Sequence, residues 1–413
     1  MPDLEKHNPH WKEGFSYPFP KQRALYTKVQ NQVKNKQIIA IYGLRRTGKT
    51  VLLRQLINSL LAQRVMRTEI LFFSFDEEQP SIKELISTFE KTGRTLRYVF
   101  LDEIQKLENW QNQLKFYYDN TPIKFFISGS SSLFIKKKAR ESLAGRIFDF
   151  YLSPLTFTEY LYFREKEELL RKPELFPQEV KTEFELYLKR QFIETIGQDE
   201  EFISEYMKSV IEKIVHIDIP KVFPIAQEEL LLRLLKIIAS NPGLIIEYES
   251  LSQELGIDRN TLSNYFFYLE EAFLIRKVYH FSRNQLTSEK KLKRFYLNST
   301  SFIVYLSPKT EESKIVENLV AIGTEAKFFW RTHSQDEVDF ILEQEGKIIP
   351  VEVKYKETPR SEELRPLAKF CREFKVKEGV MVTKGATAVK KVPWLDWEAT
   401  LTLIPVWTYL LEN

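Results

Sequence analysis

Residues 38–50 read IIAIYGLRRTGKT and run directly into VLLRQLINSLL over residues 51–61. An unbroken apolar run of this length predicts a strand buried on both faces, the kind that fills a parallel sheet. In the segment after it, Leu52, Leu53, Leu56, Ile57 and Leu60 recur at helical spacing, which predicts an amphipathic helix. Between strand and helix lies Gly, four residues, Gly, Lys, Thr. Such a loop brings its backbone amides and a helix N-terminus to one point, where an anion is stabilised. Gly43, Leu44, Arg45, Arg46, Thr47, Gly48, Lys49, Thr50 and Val51 are therefore the candidate phosphate loop. Lys49 would reach the β and γ phosphates of a nucleotide, and the Thr50 hydroxyl would enter a Mg²⁺ shell. A glycine turn without a ligand is the plainer alternative.

Working outward, residues 98–103 read YVFLDE, an apolar strand that ends in two acids. With a phosphate loop upstream, Asp102 would hold the magnesium and Glu103 would polarise an attacking water. The strand IKFFISGSS ends in Ser128, Ser130 and Ser131, of which Ser130 is the candidate γ-phosphate contact. Strands also read at EILFFSFD and IFDFYL, with a helix near IKELISTFE, so strands alternate with helices as in a parallel α/β sheet. Residues up to about Gln22 read as a lead-in without nameable chemistry.

The chain has 413 residues, enough for several domains, and 43% of them are hydrophobic, enough for real cores. Its 61 Lys and Arg against 57 Asp and Glu leave a charge of only +4, so any nucleic-acid surface must be local. The lone Cys371 excludes an internal disulfide and a cysteine-based zinc site. The polar N-terminus and the absence of a long apolar run predict a cytoplasmic protein with no membrane partner.

After residue 155 the pattern becomes charged and helical, as in TEFELYLKRQFIETI, and predicts a helical lid over 156–225. Residues 226–285 read as three helices and a strand, a winged helix, with Asp258 or Asn260 capping the third helix and Leu262, Phe266, Leu269 and Phe273 forming its apolar stripe. The outward residues Arg259, Ser263, Asn264, Glu270 and Glu271 are polar but hardly basic. Lys290, Lys291, Lys293 and Arg294 are the better candidates for DNA phosphates.

Together the stretches GLRRTGKT, YVFLDEIQ, ISGSSS, ESLAGR and YLSPLTFTEYL resemble the AAA-type ATP-binding proteins of archaea and bacteria that carry a C-terminal domain of unknown function with a restriction-endonuclease-like core. The resemblance implies a P-loop sheet with an extra strand between the phosphate-loop strand and the acidic strand. It also implies ATP hydrolysis, with Arg146 a finger acting on a neighbouring subunit or domain. Arg46 competes for that role, and a surface ion pair for Arg146 is equally consistent with the sequence.

The C-terminal segment, 286–413, supplies a second candidate site: Glu317 in KIVENLV, Asp339 in EVDFIL, and Glu352 with Lys354 in PVEVKY, in the order of a nuclease core. Residues two apart on a strand share a face, so Glu352 and Lys354 point together and Asp339 can join them. Carboxylates grouped this way hold divalent ions that activate water, and Lys354 would steady the charge. Glu337 is a spare acid and His333 a loop residue beside it. An ordinary half-exposed strand has the same alternation.

The expected chain is thus α/β: a P-loop NTPase sheet in 1–155, the lid, the winged helix and the endonuclease-like domain. Its ligands would be ATP and Mg²⁺, with a second divalent metal in the C-terminal domain. The expected function is an ATPase coupled to DNA binding or cleavage, with homo-oligomerisation left open. The alternative is a nucleotide-switched protein-interaction module whose nuclease-like domain is inactive.

Overall fold

A computed structural model describes residues 2–130, 142–282, 292–385 and 387–412. The chain divides into two compact units, Met1–Pro154 and Leu155–Asn413. Among the described residues, no helix is long and apolar enough to cross a membrane.

The first unit is built on β1 (Ile38–Tyr42), β2 (Ile70–Ser74), β3 (Tyr98–Asp102), β4 (Lys124–Gly129) and β5 (Ile147–Tyr151). All pairings are parallel and the order is β2-β3-β4-β1-β5. The extra strand implied by the resemblance is β4, between β1 and β3. Alternate residues of each strand serve opposite layers. Ile38, Ala40, Val99, Leu101, Phe125 and Ile127 pack with the helices Ile82–Glu90 and Trp110–Asn120. Ile39, Ile41, Phe100 and Phe126 pack with the helix Lys49–Ala62, and the Phe100 and Phe126 rings stack at 4.3 Å. Because both faces of β1 to β4 are covered, those strands tolerate no polar alternation, which is why they read as continuous apolar runs.

The lead-in is sewn to this unit. Asn8 bonds both the amide and the carbonyl of Phe72, and the Trp11 indole donates to the Ile70 carbonyl at 2.8 Å. His10 is fully buried between the Tyr17 hydroxyl and the Ile70 carbonyl, and burial pushes its imidazole down to about 4. A folded-state value below the unfolded one near 6.5 means that the stabilisation is present above pH 6.5 and is lost as pH falls toward 4. Acidification over that window should remove about 3 kcal/mol from this unit. Urea titrations at stepped pH should show the loss in the wild type and a flatter profile in His10→Gln; parallel profiles would refute it.

In the second unit, helices Phe157–Phe163, Pro177–Tyr187 and Glu200–Lys213 precede the helices Glu228–Ser240, Tyr248–Leu255 and Arg259–Glu271. Asp258 caps the last of these, accepting from the amides of Asn260 and Thr261. Leu262, Phe266 and Leu269 are buried as expected, but the helix ends at Glu271. Phe273 then takes a left-handed φ of 53°, and Leu274 fills the buried position instead.

A hairpin comes next, β6 (Ile275–His280) against β7 (Lys293–Leu297), with Ile245 bridging to Arg294. β6 also pairs with β8 (Phe328–Arg331), so the hairpin joins a mixed sheet with β9 (Glu337–Gln344), β10 (Lys347–Lys354), β11 (Glu378–Thr383), β12 (Ala388–Trp394) and β13 (Trp397–Pro405). Its order is β12-β13-β11-β10-β9-β8-β6-β7. The helix Glu312–Gly323 carries Glu317, and the helix Arg365–Phe374 covers the sheet through Leu367, Phe370 and Cys371.

Candidate functional site

β1 ends where the phosphate loop begins. Gly43 has φ 149°, and a Cβ there would lie 2.2 Å from the Leu152 carbonyl oxygen, so no side chain fits. Arg46 at φ 65° and Gly48 at φ 96° curl the loop inward, and Gly48 starts the helix Lys49–Ala62. Consecutive amides in such a curl form an anion cradle. Lys49 is 5% exposed and donates to the carbonyls of Gly43 at 3.1 Å and Leu44 at 2.8 Å. Leu44 is buried, Arg45 and Val51 are half-buried, and Arg46 is exposed at the loop tip. Thr47 bonds the Leu44 carbonyl at 2.9 Å.

The acidic strand meets the loop at Thr50, whose Oγ1 donates to Asp102 Oδ2 at 2.8 Å. The Ser128 hydroxyl holds the other Asp102 oxygen. Burial and then the neighbouring Glu103 raise the Asp102 carboxyl to about 6. A hydroxyl and a carboxylate in contact beside a phosphate loop are a hard-oxygen donor pair, which suits Mg²⁺. Glu103 comes next at a left-handed φ of 52°. Its carboxylate accepts from Gln105 Nε2, which also donates to Ser130 Oγ at 3.0 Å. Lys49, Thr50, Asp102, Glu103 and Ser130 are thereby assembled at the carboxyl ends of β1, β3 and β4.

In the second unit the C-terminal acids also converge. The β9–β10 ladder stops at the Phe340–Val351 pair, and carboxylates continue it. Glu352 Oε2 accepts the Asp339 amide at 3.1 Å, and Asp339 Oδ2 accepts the Val353 amide at 2.9 Å. Glu352 Oε1 pairs with Lys354 at 2.6 Å. Glu317 accepts from the Tyr296 hydroxyl at 2.9 Å and from Lys314 at 2.8 Å. Burial and Asp339 raise the carboxyls of Glu317 and Glu352, the latter to about 8.

The family model described as "AAA domain" matches residues 35–161, and two models described as domains of unknown function, DUF8612 and DUF4143, match 195–313 and 309–402. The chain joins an AAA domain to a DUF4143 domain. An uncharacterized protein of Methanocaldococcus jannaschii is 25% identical to it, over 95% of this chain and 92% of that protein. A second from that organism is 28% identical over 68% and 64%, and an uncharacterized protein of Haemophilus influenzae is 25% identical over 81% and 86%. Among solved structures, AMPPCP-bound DnaA from Aquifex aeolicus aligns with 64% of this chain and 92% of that one at 16% identity and a TM-score of 0.31, too slight a likeness to carry functional weight.

Within the AAA domain, Arg146 stands apart from the other candidates. Its carbonyl accepts from the Ile38 amide, so it lies at the amino end of β1, a full strand away from the loop. At ~3.3 Å per residue that is over 10 Å. Its guanidinium pairs with Asp119 at 2.9 and 3.2 Å, so it cannot serve the phosphate site of its own chain. Arg23, just past the lead-in, is buried and donates to the Thr47 carbonyl at 2.8 Å and the Ser153 carbonyl at 2.8 Å. It braces the phosphate loop from below. Gln105 closes the YVFLDEIQ stretch, yet a glutamine two residues beyond an acid carries no sign of its contact with Glu103.

The second unit corrects one expectation and leaves another without support. Arg294 is no phosphate contact: it is 5% exposed and pairs with Asp339 at 3.1 Å and with Glu337. The second divalent-metal site is not found either, since no group of three His, Cys, Asp or Glu among the described residues is arranged to hold a metal. His333 is exposed in the loop before β9, and Ser131, Lys290 and Lys291 lie outside the described residues.

Proposed function

We propose that the chain is a Mg²⁺-dependent ATPase that couples its nucleotide cycle to DNA binding, without cleavage, by the three helices and hairpin of 228–297. The observation that carries the first half is the Thr50–Asp102 contact of 2.8 Å at the mouth of a loop whose lysine faces inward. Thr50 and Asp102 would hold Mg²⁺, which neutralises phosphate charge when bound. Lys49 and the loop amides would grip the phosphates, and Glu103 would orient the attacking water and take its proton. Gln105 fixes the Glu103 carboxylate and ties it to Ser130, so the base is held beside the phosphate sensor. Arg146 would act only on another copy of the chain.

The helix order, the Asp258 cap and the Ile245–Arg294 bridge support a winged-helix reading of 228–297, with Arg259 and Lys293 as its phosphate contacts. A second reading, an interaction module that binds protein, is favoured by the sparse positive charge on the Arg259–Glu271 helix, where Glu270 is already paired to Lys277 at 2.6 Å. Retention of duplex DNA that falls steeply with salt would support the first reading; none at low salt would favour the second.

Phosphate release with ATP and Mg²⁺ tests the enzyme. Glu103→Gln should keep nucleotide affinity and lower release by about a hundredfold. Gln105→Ala should lower kcat by about tenfold with KM nearly unchanged, since it positions the base without touching substrate. Absence of adenine-nucleotide binding by calorimetry at millimolar ATP would overturn the proposal.

A further inference from the structure

The buried acids of the DUF4143 domain have no lone oxygen to offer. Both oxygens of Asp339 are taken, by the Val353 amide and by Arg294 Nη1. Both oxygens of Glu352 are taken, by the Asp339 amide and by Lys354. Both oxygens of Glu317 are taken, by Tyr296 and by Lys314. At the phosphate loop the oxygens of Asp102 are held by neutral hydroxyls, whereas here each acid is paired to a cation, Arg294, Lys354 or Lys314, which supplies the charge a divalent ion would bring.

The cation that gathers Asp339, Glu317 and Glu337 is an arginine. Arg294 comes from β7, crosses the Phe329 ring at 4.8 Å and lies 3.1 Å from Asp339 and 3.8 Å from Glu317, with its other terminal nitrogen on Glu337. It is 5% exposed, and its Nε has no hydrogen-bond partner among the described residues. A guanidinium is permanently charged and presents a planar fork of donors, so it can neutralise several carboxylates without dehydrating a metal ion. A buried arginine so placed is also expensive to release, because removal strands carboxylates in a dry site.

We infer that Arg294 occupies the place of a divalent cation in this cluster, making it a metal-free lock that fastens the β6–β7 hairpin to β9 and to the helix Glu312–Gly323. The lock joins the module proposed to bind DNA to the C-terminal sheet, and it fills the place of the ion that metal-dependent cleavage would require. It does not depend on DNA binding, nor on ATP hydrolysis.

Two measurements on the full chain without nucleotide decide it. Mn²⁺ binding followed by electron paramagnetic resonance should give the same number of bound ions for the wild type and Asp339→Asn, any ion at the phosphate loop being common to both. One additional ion in the wild type would overturn the inference. Hydrogen exchange should then accelerate by about tenfold or more across β7 and the helix Glu312–Gly323 in Arg294→Met, with β1 unchanged. Arg294→Lys, which keeps the charge and loses the fork, should give a smaller acceleration and serves if the methionine variant does not fold. Exchange unchanged in these segments would equally overturn it.

Discussion

Lys49→Ala should lower saturated ATP turnover by about a thousandfold and weaken ATP binding by about a hundredfold. A unit charge about 4 Å from a phosphate charge, at an effective dielectric near 20, contributes about 4 kcal/mol, or roughly three decades in rate. The effect is enlarged by what the lysine leaves behind. In the free chain its ammonium is held by the carbonyls of Gly43 and Leu44. Without it, those two oxygens face the incoming phosphates with no donor between them. Lys49→Arg should not rescue, because the site is 5% exposed around a compact ammonium and the wider guanidinium does not fit. Calorimetry with ATP and Mg²⁺, with circular dichroism as the folding control, provides the check. A variant that keeps turnover within threefold would show that the loop is not the phosphate site.

How far the sequence goes depends on whether a residue's partner lies nearby in the chain. The phosphate loop was legible because its strand, glycines, lysine and helix are contiguous, and each leaves a local mark. Asp102 and Glu103 were legible because an apolar run ends there. The place of β4 could be expected only through the resemblance, since nothing in KFFISG itself says that it enters between β1 and β3. Arg23 and Gln105 left no mark: one reaches across the chain to a carbonyl, the other spans two residues to an acid, and neither residue type signals that use.

The second unit shows the limit most clearly. Alternation placed Asp339, Glu352 and Lys354 on one face, and the structure brings them together with Glu317. The basic stretch 290–294 reads as a solvated, phosphate-seeking cluster, yet Arg294 turns inward because it stands on a strand whose ladder with β6 aims it across Phe329. Charge alone could not distinguish the inward Arg294 from the half-buried Lys293 that precedes it on β7. The decisive information was the register of β7, which a sequence does not display.

That register also explains the second large expected effect, at Gly243. The turn between helices Glu228–Ser240 and Tyr248–Leu255 runs beside β7, and the Gly243 amide donates to the Phe295 carbonyl at 2.9 Å. Its φ is +81°, where an alanine costs about 1 kcal/mol. A Cβ would lie 2.5 Å from Glu317 Oε1 and 2.9 Å from the Tyr296 hydroxyl. Neither can yield freely: Glu317 is tied to Lys314, and Tyr296 is buried on all sides. Displacing the carboxylate breaks its bond to Tyr296 and leaves a buried hydroxyl unsatisfied, at about 1–3 kcal/mol. Gly243→Ala should therefore destabilise the second unit by about 3 kcal/mol, a fall in its melting temperature of about 6–10 °C, with nucleotide affinity of the first unit intact. Glu317→Ala removes the atom the new Cβ would strike, so the double variant should be more stable than the sum of the two single losses predicts. Simple additivity in calorimetric melts would show that the strain lies in the backbone alone, and a fall below about 1 °C for Gly243→Ala would show that the turn has room the structure denies it.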